Sequence, residues 1–179
     1  MASIKVASIT MGLSFDQRKN TAIVWSVLSL TEEGKMKVVE LQKLLDNHKN
    51  QRVVVVGTTG TGKSTLLKQI KNAHDQDELV FPKLTQEEAE YVCQTPWTEE
   101  IGRAMERLVK QYVVIKPGEP VFGTVVLPCD LIVYLKISDE LLRERVAARS
   151  NSFDDAKNMQ RRIEEEIQQS GIPTIDFFV

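Results

Sequence analysis

The residues best suited to chemistry form one short glycine-rich segment. Residues 57–64 read Gly-Thr-Thr-Gly-Thr-Gly-Lys-Ser, which fits the pattern GxxxxGK[ST] of a phosphate-binding P-loop. In that pattern the lysine, here Lys63, reaches the β- and γ-phosphates, and the hydroxyl of Ser64 ligates a Mg²⁺ ion that bridges them. The segment therefore predicts a site for ATP and Mg²⁺, with Lys63 as a candidate catalytic residue and Ser64 as the metal ligand.

The residue types along this segment explain how a backbone can hold a phosphate. Glycine lets the chain adopt conformations that other residues avoid, so successive N–H groups can point inward toward an anion. The following helix adds the positive end of its dipole. We expect the threonines to contribute backbone donation or helix capping rather than side-chain ligands. The residues predicted to contact the nucleotide are Gly57, Thr58, Thr59, Gly60, Thr61, Gly62, Lys63, Ser64 and Thr65. The alternative is a glycine turn with a chance lysine.

The neighbouring residues provide the elements that such a loop needs. Four consecutive valines at residues 53–56 have the β-branched, apolar character of a central parallel strand, and Leu66, Leu67 and Ile70 follow at helical spacing. Strand and helix patterns then alternate, as in a parallel sheet. The predicted strands are residues 52–57, 79–81, 112–115, 131–135 and 174–178. The predicted fold class is α/β, a three-layer P-loop NTPase fold with a five-stranded parallel sheet and an N-terminal helical extension.

The first 50 residues precede this pattern and contain two helical segments. Ser14 and Gln17 have a capping-box spacing before a predicted helix at residues 15–30, and a second helix is predicted at 36–47, after Gly34 breaks the pattern. The pair is interpreted as an αα-hairpin on the core, with a DNA-reading helix-turn-helix as the alternative. The predicted domains are thus residues 1–50, the extension, and 51–179, the P-loop domain.

Arginines near the C-terminus could assist phosphoryl transfer. Arg145 and Arg149 are four residues apart on one predicted helix, and Arg162 lies on the next. A planar guanidinium can donate two parallel hydrogen bonds to phosphate oxygens. Its positive charge can also stabilise negative charge that develops in a site from which water is excluded. The alternative is that these arginines are solvated and paired with neighbouring glutamates.

The region that contains these arginines resembles the second half of small-molecule P-loop kinases of the adenylate-kinase-like group. The shared features are the strand Leu-Ile-Val-Tyr-Leu at 131–135, the Glu-Arg-x-x-x-Arg helix at 144–149, the Arg-Arg pair at 161–162 and Pro-x-Ile-Asp at 173–176. With the P-loop included, the resemblance covers residues 52–179. It implies that Arg145 lies against the adenine or ribose and that Arg149 and Arg162 hold phosphates, both as catalytic residues. It also implies ATP-dependent phosphoryl transfer to a small-molecule acceptor, a nucleotide, nucleoside or other small alcohol.

The chain departs from this group in its carboxylates. In such kinases the strand matching residues 112–115 usually ends in an aspartate, whereas this sequence continues Lys-Pro-Gly-Glu. Glu119, Asp75, Asp77 or Asp130 would have to organise Mg²⁺ or take the proton of the acceptor. The departure leaves open an alternative function, a nucleotide-binding regulatory or switch protein with weak or no ATPase activity. A GTPase is disfavoured because an Asn-Lys-x-Asp segment is absent.

Composition narrows the possible partners. The chain has 179 residues, 42% of them hydrophobic and 27% charged, which is typical of a globular domain and excludes disordered and collagen-like classes. Lys and Arg number 23 against 25 Asp and Glu, so the net charge of -2 argues against nucleic acid as a partner. The sequence shows no apolar run long enough for a membrane helix, no signal-like segment and no paired cysteine motif. We expect a cytoplasmic protein with no membrane partner.

Overall fold

A computed structural model describes residues 32–94 and 98–179 of the chain. Their sheet has five strands that all run parallel, in the order β2-β3-β1-β4-β5. The strands are β1 (Val53–Val56), β2 (His74–Asp75), β3 (Val121–Gly123), β4 (Leu131–Lys136) and β5 (Thr174–Phe178). The α/β class and the five-stranded parallel sheet predicted from the sequence are confirmed.

Helices cover both faces of this sheet. They are α1 (Glu32–Asn47), α2 (Lys63–Leu67), α3 (Gln76–Val80), α4 (Gln86–Val92), α5 (Glu99–Tyr112), α6 (Asp139–Ala147) and α7 (Phe153–Ser170), with a 3₁₀ turn at Phe81–Lys83. Thr85, Ser138 and Ser152 are of residue types typical of helix N-caps, and their side chains cap α4, α6 and α7. Within the two described ranges, no helix is both long and apolar enough to cross a membrane.

Strand β1 lies at the centre because its side chains are apolar on both faces. Val54 pairs with Val121 of β3 on one side and with Ile132 of β4 on the other. Since side chains alternate between faces along a strand, Val54 and Val56 join one buried cluster while Val53 and Val55 join another. All four valines are at most 4% exposed.

The two clusters make the fold three-layered. On one face the sheet contacts α3, α4, α5 and α7 through Val80, Val92, Ile101, Met105 and Ile163. On the other face it contacts α1 and α2 through Leu41, Leu45 and Leu66. A third, smaller cluster joins α6 to the start of α7 through Leu142, Val146 and Ala156. The glycine-rich segment follows β1, and its Gly60 lies against Leu142 and Val146 of this third cluster.

The prediction of a strand at residues 79–81 is wrong, because this segment forms the end of α3 and the start of the 3₁₀ turn. Asp75 caps α3 with its side chain, which accepts a hydrogen bond from the backbone N–H of Asp77 at 2.8 Å. The chain therefore turns into a helix directly after the two residues of β2. Val80 is fully buried as part of that helix rather than as part of a strand.

The strand predicted at residues 112–115 is also wrong. Helix α5 continues to Tyr112, and Val114 is 70% exposed, so the apolar run after the helix is not buried on two faces. The strand that pairs with β1 on this side is β3, only three residues long. At its other end α5 is capped by Thr98, whose side chain accepts from the N–H of Ile101.

Helix α1 contains the segment predicted at 36–47 and begins earlier, so Gly34 lies inside it. Its residues Leu41 and Leu45 are 0% and 5% exposed and belong to the same cluster as β1. The helix predicted at 15–30 falls outside the described residues, and the domain boundary at residue 50 stays a prediction.

Candidate phosphate-binding site

The glycine-rich segment forms the loop between β1 and α2, at the edge of the sheet where the parallel strands end, here called the carboxyl edge. Gly60 and Gly62 have φ angles of +90° and +92°, a left-handed conformation that side chains disfavour. At Gly57 an added Cβ would lie 2.9 Å from Thr61 Oγ1 and 3.0 Å from Leu135 Cβ. The loop thus needs glycine both for its backbone angles and for its close contact with β4.

The threonines of the loop direct their hydroxyls into the protein. Thr58 Oγ1 donates to the carbonyl oxygen of Ala156 at 2.6 Å, and Thr61 Oγ1 donates to that of Thr58 at 2.8 Å. Both threonines are 1% exposed. Thr59 Oγ1 lies 3.6 Å from Met159 Sδ. The hydroxyls of Thr58 and Thr59 fix the loop against α7, and that of Thr61 bonds within the loop, so an anion bound there would be held by backbone N–H groups and not by these hydroxyls.

Lys63, the first residue of α2, lies over the loop. Its Nζ donates to the carbonyl oxygens of Gly57 at 2.5 Å and Thr58 at 2.8 Å. Burial lowers the pKa of Lys63 from 10.5 to about 8; Asp75 and Asp77 act in the opposite direction and Arg149 adds to the decrease. The ammonium is therefore held in surroundings that solvate it poorly, where an added negative charge would stabilise it.

Two arginines complete a cationic cluster with Lys63. Arg145 of α6 donates from Nη1 to the carbonyl oxygen of Gly60 at 3.2 Å, and burial lowers the pKa of its guanidinium. Burial, and next to it the charge of Arg145, lowers the pKa of Arg149 to about 10. Arg149 in turn lowers the pKa of Lys63. Three poorly hydrated positive charges beside a glycine loop are the electrostatic arrangement that a polyphosphate would stabilise.

Arg162, the third predicted arginine, contacts a different part of the protein. It lies on α7, where its Nη2 donates to Glu106 Oε2 of α5 at 3.3 Å. The same glutamate accepts from Lys110 at 2.7 Å. The structure thus places Arg145 and Arg149 beside the loop and Arg162 in a helix–helix ion pair, and the predicted roles of all three in holding a nucleotide stay predictions.

The candidate carboxylates separate onto opposite edges of the sheet. Asp130 accepts from Arg52 Nη2 at 2.6 Å and from the N–H of Arg52 at 2.8 Å, just before β1 and β4 begin. Glu119 precedes β3 and lies 3.6 Å from His74 Nε2. Both therefore belong to the amino edge, where the parallel strands start. Asp75 ends β2 and Asp77 follows it, so this pair belongs to the carboxyl edge together with the loop.

Gln76, which lies between these aspartates, is a site residue that the sequence analysis missed. It is 2% exposed, and its Oε1 accepts from the N–H groups of Thr124 at 3.2 Å and Val125 at 3.1 Å. Its Nε2 donates to the carbonyl oxygen of Val125 at 2.7 Å. An added Cβ at Gly123 would lie 1.9 Å from Gln76 Oε1. The residue therefore anchors the Asp75–Asp77 segment to the end of β3, and nothing in the sequence pattern distinguishes it from a surface glutamine.

The residues at this edge fit the phosphates of ATP. The left-handed glycines shape the loop, and the cations Lys63, Arg145 and Arg149 supply positive charge around it. The described residues contain no group of three or more His, Cys, Asp or Glu side chains able to hold a metal ion. Ser64 would therefore hold Mg²⁺ jointly with phosphate oxygens.

A glycine loop between a central parallel strand and a helix, inside a three-layer α/β fold, defines a P-loop NTPase. The chain is a protein of this class. Residues 33–112, less than half of the chain, match the family model described as the NB-ARC domain, a nucleotide-binding P-loop ATPase module that often acts as a regulatory switch. No curated protein matches the chain. The match supports nucleotide binding and does not support the narrower expectation of an adenylate-kinase-like small-molecule kinase.

Proposed function

We propose that the chain is an ATP-binding regulatory switch, whose helices respond to the nucleotide in the loop and whose ATP hydrolysis is slow. The observation that carries this proposal is the cationic cluster of Lys63, Arg145 and Arg149. Lys63 comes from the loop itself, whereas the two arginines come from α6 and the turn after it. The similarity of residues 33–112 to the NB-ARC domain supports the same function.

The charge of the γ-phosphate would couple the nucleotide to the helices. ATP places more negative charge at the loop than ADP does, and the arginines gain most from it because burial has removed much of their hydration. Mg²⁺, when bound at Ser64, would neutralise part of the phosphate charge. With ATP the arginines are drawn toward the loop, and with ADP that attraction is weaker.

The helices already contact the loop through polar groups. Arg145 of α6 donates to Gly60, and Thr58 donates to Ala156 of α7. A shift of the loop backbone therefore moves acceptors and donors on both helices. We infer that α6 and α7, called here the α6–α7 pair, are the responding element.

Hydrogen–deuterium exchange tests the switch directly. Residues 139–170 are expected to exchange more slowly with ATP and Mg²⁺ than with ADP and Mg²⁺, at concentrations that saturate the site with either nucleotide. Lys63→Ala should abolish the difference, and Lys68→Ala, which changes an exposed lysine just after α2, should preserve it. Equal exchange in the two saturated states would contradict the proposal.

The N-terminal extension at residues 1–50 is part of this proposal as the region that would pass the signal to a partner. Leu41 and Leu45 are buried against β1, so a protein lacking residues 1–50 should lose a large apolar contact and unfold at a lower temperature. A protein lacking only residues 1–31 keeps both leucines and should bind ATP with the affinity of the full chain. Equal stability of the two truncated proteins would indicate that α1 is not part of the core.

A second candidate function, phosphoryl transfer to a small-molecule acceptor, is favoured by one cleft. It has a volume of about 630 Å³ and is lined by Tyr91, Glu100, Arg103, Glu106, Arg107 and Arg162. It lies between α7 and the helices that connect β2 to β3. Its guanidinium groups suit an acceptor that carries a phosphate, such as a nucleotide.

A panel of acceptors separates the two functions. If the chain is a switch, the label of γ-labelled ATP should appear in inorganic phosphate. If the chain is a kinase, the label should appear on the acceptor. Arg107→Ala is the informative variant because this arginine lines the cleft, is exposed and has no ion pair or side-chain hydrogen bond with the described residues. Loss of label transfer in this variant, with ATP affinity unchanged, would establish the kinase.

A further inference from the structure

The carboxyl edge holds one pair of carboxylates beside the loop. Asp75 of β2 is in register with Phe122 of β3, and Phe122 is in register with Val55 of β1. Neighbouring strands are about 4.8 Å apart, so Asp75 and Val55 occupy the same row of the sheet about 10 Å apart. The loop begins two residues after Val55, and Asp77 follows two residues after Asp75. The two segments therefore leave the same edge of the sheet, with β3 between the strands that precede them.

Lys63 interacts electrostatically with this pair from the loop on the same edge. The charges of Asp75 and Asp77 both act to raise the pKa of Lys63. In a P-loop that ammonium is the group placed at the β- and γ-phosphates. A group close to it is in a position to reach whatever attacks the γ-phosphate.

The two carboxylates differ in the hydrogen bonds that they make within the protein. Asp75 Oδ1 accepts from the N–H of Asp77 and so caps α3. The side chain of Asp77 makes no hydrogen bond or ion pair with any residue in 32–94 or 98–179. The buried amide of Gln76 holds the segment between them in place. Asp77 is thus a fixed carboxylate that is open to a ligand.

We propose that Asp77 is a catalytic residue, the general base that takes a proton from the water attacking the γ-phosphate of bound ATP. This inference rests on the proposed ATP binding by the loop. As the proton passes to the Asp77 carboxylate, a bond forms between the water oxygen and the γ-phosphorus. The bond from that phosphorus to the β,γ-bridging oxygen breaks with its electron pair, which gives ADP, phosphate and one proton later released from Asp77.

The protonation behaviour of Asp77 suits this role. Desolvation by the protein around its carboxyl group, with the charge of Asp75 next, raises its pKa to about 6. Lys63 acts in the opposite direction, and Glu78 adds to the rise. A base with a pKa near 6 is ionised at neutral pH and still has useful proton affinity. The other carboxylates named for this task, Glu119 and Asp130, lie at the opposite edge of the sheet.

Single-turnover hydrolysis, with the full chain in excess over γ-labelled ATP, tests the inference together with a separate measurement of ATP affinity. Asp77→Asn should bind ATP within about threefold of the unmodified protein and should hydrolyse it at least tenfold more slowly, since general base catalysis contributes about 10²–10⁴-fold. Glu78→Gln, a change in the adjacent exposed carboxylate, should alter neither quantity by more than about twofold. ATP binding by Asp77→Asn also shows that the variant is folded.

The pH profile separates catalysis from a structural role. The rate of the unmodified protein should rise as pH increases through the pKa of Asp77, and Asp77→Asn should lose this dependence. A decrease of less than tenfold in Asp77→Asn, or ATP binding without any hydrolysis by the unmodified protein, would overturn the inference alone. Absence of ATP binding by the unmodified protein would instead overturn the proposed function.

Discussion

The two edges of the sheet use charged side chains in opposite ways. At the amino edge, opposite charges are paired: Arg52 with Asp130 at 2.6 Å, and His74 and Lys116 with Glu119 at 3.6 and 3.5 Å. At the carboxyl edge, the positive charges of Lys63, Arg145 and Arg149 gather around the glycine loop, where burial lowers all three pKa values, Arg145 lowers that of Arg149 further, and Arg149 lowers that of Lys63 further. Pairing satisfies charges within the fold, whereas poorly hydrated like charges held together would be stabilised further by an anionic ligand.

The largest effect is expected from Lys63→Ala. Removing the ammonium that lies over the loop should weaken ATP binding about 100-fold, the equivalent of about two charge-assisted hydrogen bonds. Isothermal titration of each variant with ATP and Mg²⁺ measures the change, and Lys68→Ala is the matched control. If the affinity of Lys63→Ala for ATP is within threefold of that of the unmodified protein, the cations of the carboxyl edge do not serve to bind ATP, and the two edges do not differ in this way.

The next largest effect on ATP binding is expected from Arg149→Ala, and Arg162→Ala provides the comparison. Arg149→Ala should weaken ATP binding about tenfold, because it removes one cation beside the loop. Arg162→Ala should change ATP binding less than about twofold, because Arg162 is already paired with Glu106. If the two variants weaken binding equally, the α5–α7 ion pair would not keep Arg162 out of the nucleotide site.

A smaller effect is expected from a rise in pH, which should weaken ATP binding and increase the free energy of unfolding. ATP affinity should decrease as pH rises through about 8, where Lys63 loses its proton in the folded protein. The unfolded chain keeps that proton up to pH 10.5, so above pH 8 the unfolded state binds more protons and Lys63 adds stability as pH rises. Lys63→Met should lack both trends, and titration and urea unfolding at pH 7 and 9 measure them. An affinity that is constant between these pH values would contradict the depressed pKa.

The smallest effect is expected at the amino edge. Arg52→Ala breaks the ion pair with Asp130, but both side chains are about two-fifths exposed and such pairs contribute little. The melting temperature should fall by at most about 3 °C, and ATP affinity should stay unchanged. A change in ATP affinity would show that the two edges are coupled through β1 and β4.

What the sequence could predict depended on local signals. The valines of β1, the glycines after it and the capping residues Thr85 and Ser138 each act within a few residues, and the structure has the elements they predict. Strands β2 and β3 contain two and three residues, too few for a pattern, so the sequence instead predicts strands at the apolar runs 79–81 and 112–115. A short strand in a parallel sheet is defined by its neighbours, not by its own periodicity.

The site was predictable in the loop and much less so around it. The contact of Arg145 with Gly60 joins residues 85 positions apart, and only the resemblance to a kinase family indicated that these two regions meet. No local signal indicated that Gln76 is buried or that Asp77 faces Lys63, because both depend on which strands are neighbours in the sheet. Glutamine and aspartate at those positions have the same appearance in the sequence as residues of a solvated turn.

The hydrogen bond from Thr58 to Ala156 gives the protein a practical use as a sensor. This 2.6 Å bond joins the loop to the start of α7, so a shift of the loop would be passed to that helix. Ser150, in the turn between α6 and α7, is exposed and has a φ angle of +56°. An environment-sensitive dye attached there would sit outside the phosphate site and still report its occupancy by a change in fluorescence. If the loop binds a nucleotide as proposed, the labelled chain would be an optical indicator of nucleotide levels.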